Sequence, residues 1–182
     1  MNVLIDIVGS MVIGAMVLLV ILNLNISKSN AQYSSDSELQ LQQNAKTLAN
    51  MLEYDLRKIG YHYSGNPFIT TDSTKISFYA DIDNNGSVDE VSYLTSGTNE
   101  VSYTSNPDDR ILCRVVNNDT SKGPSLGLTK LRFNYFNSIG NKTTVQDSIK
   151  YIKAEIWVET PEKVDNVYPF TYWELTINPR NL

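Results

Sequence analysis

The sequence predicts an α+β protein in which a long N-terminal helix, membrane-spanning in its first half and amphipathic in its second, packs on an antiparallel β-sheet. Three observations carry this. Apolar residues run almost unbroken from Ile7 to Leu24, then recur at spacings of three and four as far as Ile59, and from about Lys75 the period changes to two. The implied organisation is a transmembrane helix over 1–26, an amphipathic helix continuing over 27–60, and a sheet domain over 61–182.

A helix over Ile7–Leu24 is about 27 Å long at 1.5 Å per residue, close to a hydrocarbon core of about 30 Å. Helix is the expected state because a lone segment in lipid must satisfy its backbone groups internally. Only Ser10 and Asn23 are clearly polar in the run. Gly9, Ser10, Gly14 and Ala15 put small side chains on the first turns, and Ser10 to Gly14 is a small-xxx-small spacing that lets a second helix approach closely. Ser29-Asn30-Ala31 loosely resembles a signal-peptidase site, but no Lys or Arg precedes the apolar run and Asp6 makes its approach acidic. An uncleaved single-pass anchor is therefore expected, with the rest of the chain on one side of the membrane.

Beyond a polar stretch, Ser27 to Ser35, the residues Leu41, Ala45, Leu48, Leu52, Leu56 and Ile59 form one helical face. Asp36 or Ser37 can cap its start, and Gly60 follows its last apolar position as a C′ residue would. Gln42, Gln43, Lys46, Asn50, Glu53 and Asp55 make up the polar face. Strands are expected where Tyr, Phe, Val, Ile and Trp alternate with polar residues, around 75–80, 91–93, 111–116, 128–136, 149–158 and 170–177. Ile152, Ala154, Ile156 and Val158, like Trp173, Leu175 and Ile177, need an apolar cover, which the helix stripe supplies.

Composition narrows the function. A formal charge of -5 and a pI near 4.8 oppose a nucleic-acid partner, whose phosphates must be neutralised by Lys and Arg. With one cysteine, Cys113, and one histidine, His62, neither an internal disulfide nor a zinc cluster is expected. Alternation in Ile111–Val116 makes Cys113 a small buried residue. No Ser-His-Asp set, Cys-His set or phosphate loop can be assembled, so a non-enzymatic protein without a cofactor is expected.

One segment bears on metal chemistry. Asp81, Asp83, Asn85, Gly86 and Asp89 match positions 1, 3, 5, 6 and 9 of a calcium loop, where oxygens at alternate positions wrap a hard cation. Position 12 is Ser92 and not the bidentate Glu. The competing and favoured reading is a hairpin turning at Asn85-Gly86 in a type I′ turn. It would pair Phe78 with Tyr93, Ala80 with Val91 and Asp81 with Glu90.

Taken in order along the chain, these parts resemble the type IV pilin superfamily, especially the minor pilins and the minor pseudopilins of type II secretion systems. The resemblance rests on the apolar helix followed by an amphipathic half, on Leu48–Tyr61, on Ile76–Gly86, and on the terminal Asn178-Pro179-Arg180-Asn181-Leu182. It implies a structural protein of a pilus or of a secretion pseudopilus. Its partners would be other pilin or pseudopilin subunits, the inner-membrane assembly machinery and membrane lipid, with the C-terminal domain extracytoplasmic. The departure is at the front, where Val3-Leu4-Ile5-Asp6 approximates the family start, Asn2 stands where a mature chain would begin, and Asp6 stands for the family's glutamate. By resemblance Asp6 would meet the N-terminal amine of a neighbouring subunit, and Gly9, Ser10 and Gly14 would belong to the same assembly face. A membrane-anchored binding or adhesion module acting outside a filament is the alternative.

Overall fold

The computed structural model describes residues 3–164 and 166–182; Asn2, the position of the expected mature start, lies outside the described residues. A single helix, α1, occupies Val3–Leu56. Two compact units divide between Leu39 and Gln40, inside this helix. The polar stretch Ser27–Ser35 is helical throughout, so no new helix starts at Asp36 or Ser37. The reason is local. No Gly or Pro occurs between Gly14 and Gly60, and Ser, Asn or Lys costs at most about 0.7 kcal/mol each relative to Ala.

In the first unit the helix is bare. Every side chain from Val3 to Asp36 is exposed. Its most apolar window has a mean hydropathy of 2.6 and 0% of it is buried, which makes this the one helix among the described residues long and apolar enough to cross a membrane.

The second unit begins with the packed part of α1. Leu41, Ala45, Leu48, Leu52 and Leu56, and Ile59 in the turn beyond, are all buried, as the stripe predicts. Each such leucine contributes about 1.5–3 kcal/mol by leaving water. The stripe carries a residue the periodicity assigns to the polar face. Asp55 is 2% exposed. It is tolerated because its Oδ2 accepts hydrogen bonds from the Tyr93 hydroxyl at 2.7 Å and from Arg114 Nε at 2.5 Å, so the charge is paired and hydrogen-bonded. α1 ends at Leu56, and Gly60 lies in the following turn with φ +77°. The positive φ calls for glycine, and a Cβ there would also stand in tight contact with the Asn181 carbonyl, 3.1 Å away.

Two antiparallel sheets complete the unit where one was expected. The first has strands β1 (Phe68–Thr71), β2 (Lys75–Ala80), β3 (Asp89–Thr95), β4 (Leu112–Val116) and β5 (Asp119–Lys122), in that spatial order. The second has β6 (Leu128–Phe136), β7 (Tyr151–Glu159) and β8 (Phe170–Ile177), also in order. Their apolar faces and the α1 stripe share one core cluster. Ile152, Ala154, Ile156 and Val158 of β7 are fully buried, whereas Trp173 and Leu175 of β8 are half-buried at the sheet edge. Cys113 is a buried free thiol in β4, with its pKa raised by burial.

The hairpin register departs from expectation. Phe78 pairs with Val91, Ile76 with Tyr93 and Ala80 with Asp89, two residues away from the predicted pairing. Glu90 lies opposite Tyr79, not opposite Asp81. A shift of two keeps every side chain on its own face, which is why the apolar surface is the expected one while its pairings differ. The strands are joined by a loop over 81–88 and not by a two-residue turn at Asn85-Gly86. A two-residue hairpin of that kind does occur, at Asn117-Asn118 between β4 and β5, where Val116 pairs with Asp119 and both loop residues have positive φ.

Candidate functional site

Two groups of residues stand out, one in each unit. In the first, Asp6 lies in the first turn of α1, where the positive end of the helix dipole favours a carboxylate. Asp6, Ser10 and Gly14 follow one another at intervals of four, and Gly9 lies three beyond Asp6, so helical geometry aligns all four on one face. The Ser10 hydroxyl is satisfied within the helix, donating to the Ile7 carbonyl at 2.8 Å. A Cβ added at Gly9 or Gly14 would meet nothing within 4 Å. The glycines therefore serve no packing within the described chain. Asp6 takes part in no ion pair or hydrogen bond among the described residues, and a carboxylate beside an apolar helix is costly in lipid until it finds a partner.

The second group is the 81–88 loop with its flanks. Asp81, Asp83 and Asp89 each bring a carboxylate oxygen within 4.8 Å of the others. Asp81, fully buried, accepts from the backbone N–H of Asn85 and of Gly86, each at 3.0 Å, and faces His62 Nδ1 at 2.9 Å. Asp83 accepts from the Asn85 amide at 3.1 Å and from the Asn85 side chain at 2.9 Å. Asn85 in turn accepts from Ser87 N–H at 2.7 Å. Asp89 accepts from Ile82 N–H at 3.2 Å and from Asn117 Nδ2 at 2.6 Å. Burial pushes the Asp81 carboxyl up, but the bonds from His62, Gly86 and Asn85 outweigh it and leave the group below its ordinary value.

Chemically, three carboxylates and the Asn85 amide are oxygen donors suited to a hard cation such as calcium. Ser92 supplies no carboxylate, and its hydroxyl is engaged with Ser77 at 2.7 Å across β2 and β3. His62, whose isolation in the sequence argues against any cluster, is the partner of Asp81. No spacing signals this, because the contact depends on the turn after α1, where His62 takes φ +56° and stacks on Tyr61. That turn clasps the loop further through Lys58 Nζ to the Ile82 carbonyl at 2.6 Å and Tyr61 OH to Asn84 at 3.0 Å.

Two buried acids escape the periodic reading of the sequence. One is Asp55, inside the helix stripe. The other is Asp109, 1% exposed, which has no hydrogen-bond partner at either carboxylate oxygen among the described residues. Compared with known proteins, the chain matches no family model, no curated protein and no solved structure.

Proposed function

We propose that this chain is a non-enzymatic, membrane-anchored structural subunit of the type IV pilin or pseudopilin kind, assembling by packing its N-terminal helix against helices of other subunits. The observation that carries this reading is the state of that helix. Large apolar residues from Val3 to Ile26 are all exposed, and the segment carries an acid and two glycines on one face that the chain itself does not use. A lipid-facing anchor accounts for the apolar residues. It does not account for Asp6, which needs a partner, or for small residues set where a second helix can approach. The likeness of the helix-then-sheet order to minor pilins and minor pseudopilins supports the same reading, with an extracytoplasmic domain and the inner-membrane assembly machinery as a partner.

The alternative, an anchored binding or adhesion module acting alone, needs only a hydrophobic span. Gly14→Leu distinguishes the two, because nothing within the chain meets a side chain at that position. Membrane insertion and the Tm of the C-terminal domain should be unchanged, while incorporation into filaments falls at least about tenfold, a loss of about 1.4 kcal/mol in association. Asp6→Ala should behave alike. Absence of the native chain from filaments would favour the solitary module, and normal incorporation of both variants would show that this helix face does not drive assembly.

A further inference from the structure

Asp109 lies at the end of a loop over 102–109 that is bound to the far end of β7 and to the segment beyond it. Ser105 Oγ donates to the Pro161 carbonyl at 2.7 Å, and the Tyr168 hydroxyl donates to the Ser105 carbonyl at 3.0 Å. Asn106 Nδ2 donates to Glu159 Oε2 at 2.9 Å and to the Thr160 carbonyl at 3.2 Å. Next to these four bonds, Asp109 is buried with both carboxylate oxygens lacking a donor. An ionised carboxylate in that state bears its full desolvation cost, whereas a neutral carboxyl bears far less. Its charged surroundings add to the cost. Glu159 on β7 and Asp108 on the loop are both acidic, and the guanidinium of Arg110 is directed to the Ser96 carbonyl at 3.2 Å. The Thr104 hydroxyl lies close enough to hold the carboxyl down in part, but its hydrogen bonds go to the Val101 carbonyl at 3.2 Å and the Asn106 carbonyl at 3.4 Å, so neither carboxylate oxygen gains a donor from it.

We propose that Asp109 is a proton-operated latch: with its carboxyl neutral the 102–109 loop stays closed on Glu159, Thr160, Pro161 and Tyr168, and ionisation opens it. Burial first, then the two acidic neighbours, hold the closed-state pKa above the ordinary 3.8. A group raised in the closed state favours closure fully below its ordinary value and loses that contribution as pH rises through the closed-state value. The loop is therefore closed in acid and loosens toward alkaline pH. The latch operates whether or not the chain assembles into a filament.

The test is hydrogen–deuterium exchange of the full chain in detergent micelles from about pH 4 to pH 8, each value corrected for intrinsic exchange. In the native chain, protection of the 102–109 amides should fall as pH rises. Asp109→Asn should keep the loop closed throughout, with exchange at pH 8 slower than native by about tenfold, or about 1.4 kcal/mol. Glu159→Gln retains the carbonyl that accepts from Asn106 but removes a negative neighbour, so the opening midpoint should move to lower pH. It serves also if the Asp109→Asn variant fails to fold. A flat native profile, the same profile in Asp109→Asn, or an unmoved midpoint in Glu159→Gln would overturn the latch. So would protection at pH 8 restored by calcium chloride alone, since an ion and not a proton would then occupy the carboxyl.

Discussion

The two parts of α1 have the same backbone and opposite surroundings. From Val3 to Asp36 no side chain is buried, although this is the most apolar stretch of the protein. From Leu41 onward a much less apolar sequence buries one full face, and even an aspartate, Asp55, goes inside with Tyr93 and Arg114. Hydrophobicity alone therefore does not decide which residues form a core. What decides is whether the apolar positions are confined to a stripe that the chain's own sheets can cover. An apolar surface on every side of a helix has to be matched from outside, by lipid or by other helices.

The largest expected effect comes from removing the uncovered part. A chain of residues 31–182 should be soluble and monomeric without detergent, because its apolar stripe is already covered, whereas the full chain should require detergent or lipid. Sedimentation of the two forms at moderate ionic strength checks this, and an aggregated short form would show that the core does not close on itself. Next comes a pair of like substitutions on the same helix. Leu52→Ala removes a side chain 0% exposed and should cost about 2–5 kcal/mol of domain stability. Leu18→Ala removes one that is 60% exposed and should stay within about 0.5 kcal/mol in the same denaturant titration. Similar losses from both would erase the distinction between the halves.

Much of this is legible in the sequence because it is periodic. The stripe from Leu41 to Ile59 and the alternation in β2, β6, β7 and β8 both follow from chain geometry. β5 is not legible. Its four residues, Asp119–Lys122, are all exposed and polar, and it is a strand only because Asn117-Asn118 turns it back onto β4. Periodicity puts Asp55 on the wrong face because a charged residue on a helix is usually wet, and its partners come from β3 and β4, far along the chain. The calcium-type spacing correctly indicates residues that meet, Asp81, Asp83 and Asp89, while the Asn-Gly signal gives the wrong turn. An Asn-Gly pair favours a tight hairpin only when no stronger local bonding competes, and here the aspartates bind the loop amides directly.

The smallest expected effect separates the loop's buried acid from its exposed one. Asp81→Ala should lower the Tm clearly, since it strips acceptors from His62, Asn85 and Gly86 at a buried position, whereas Asp83→Ala loses bonds only to Asn85. Every carboxylate oxygen of Asp81, Asp83 and Asp89 already accepts a hydrogen bond, and the loop lacks the acidic twelfth ligand of a full calcium loop. Calcium up to about 10 mM is therefore expected to leave the Tm unchanged. A site of millimolar affinity would at that concentration add about 1.4 kcal/mol, which is readily measured by scanning calorimetry. An upward shift that disappears in Asp83→Ala would show that the loop's carboxylates are organised for a cation, and would give the C-terminal domain the need for an outside partner that we propose for the N-terminal half of α1.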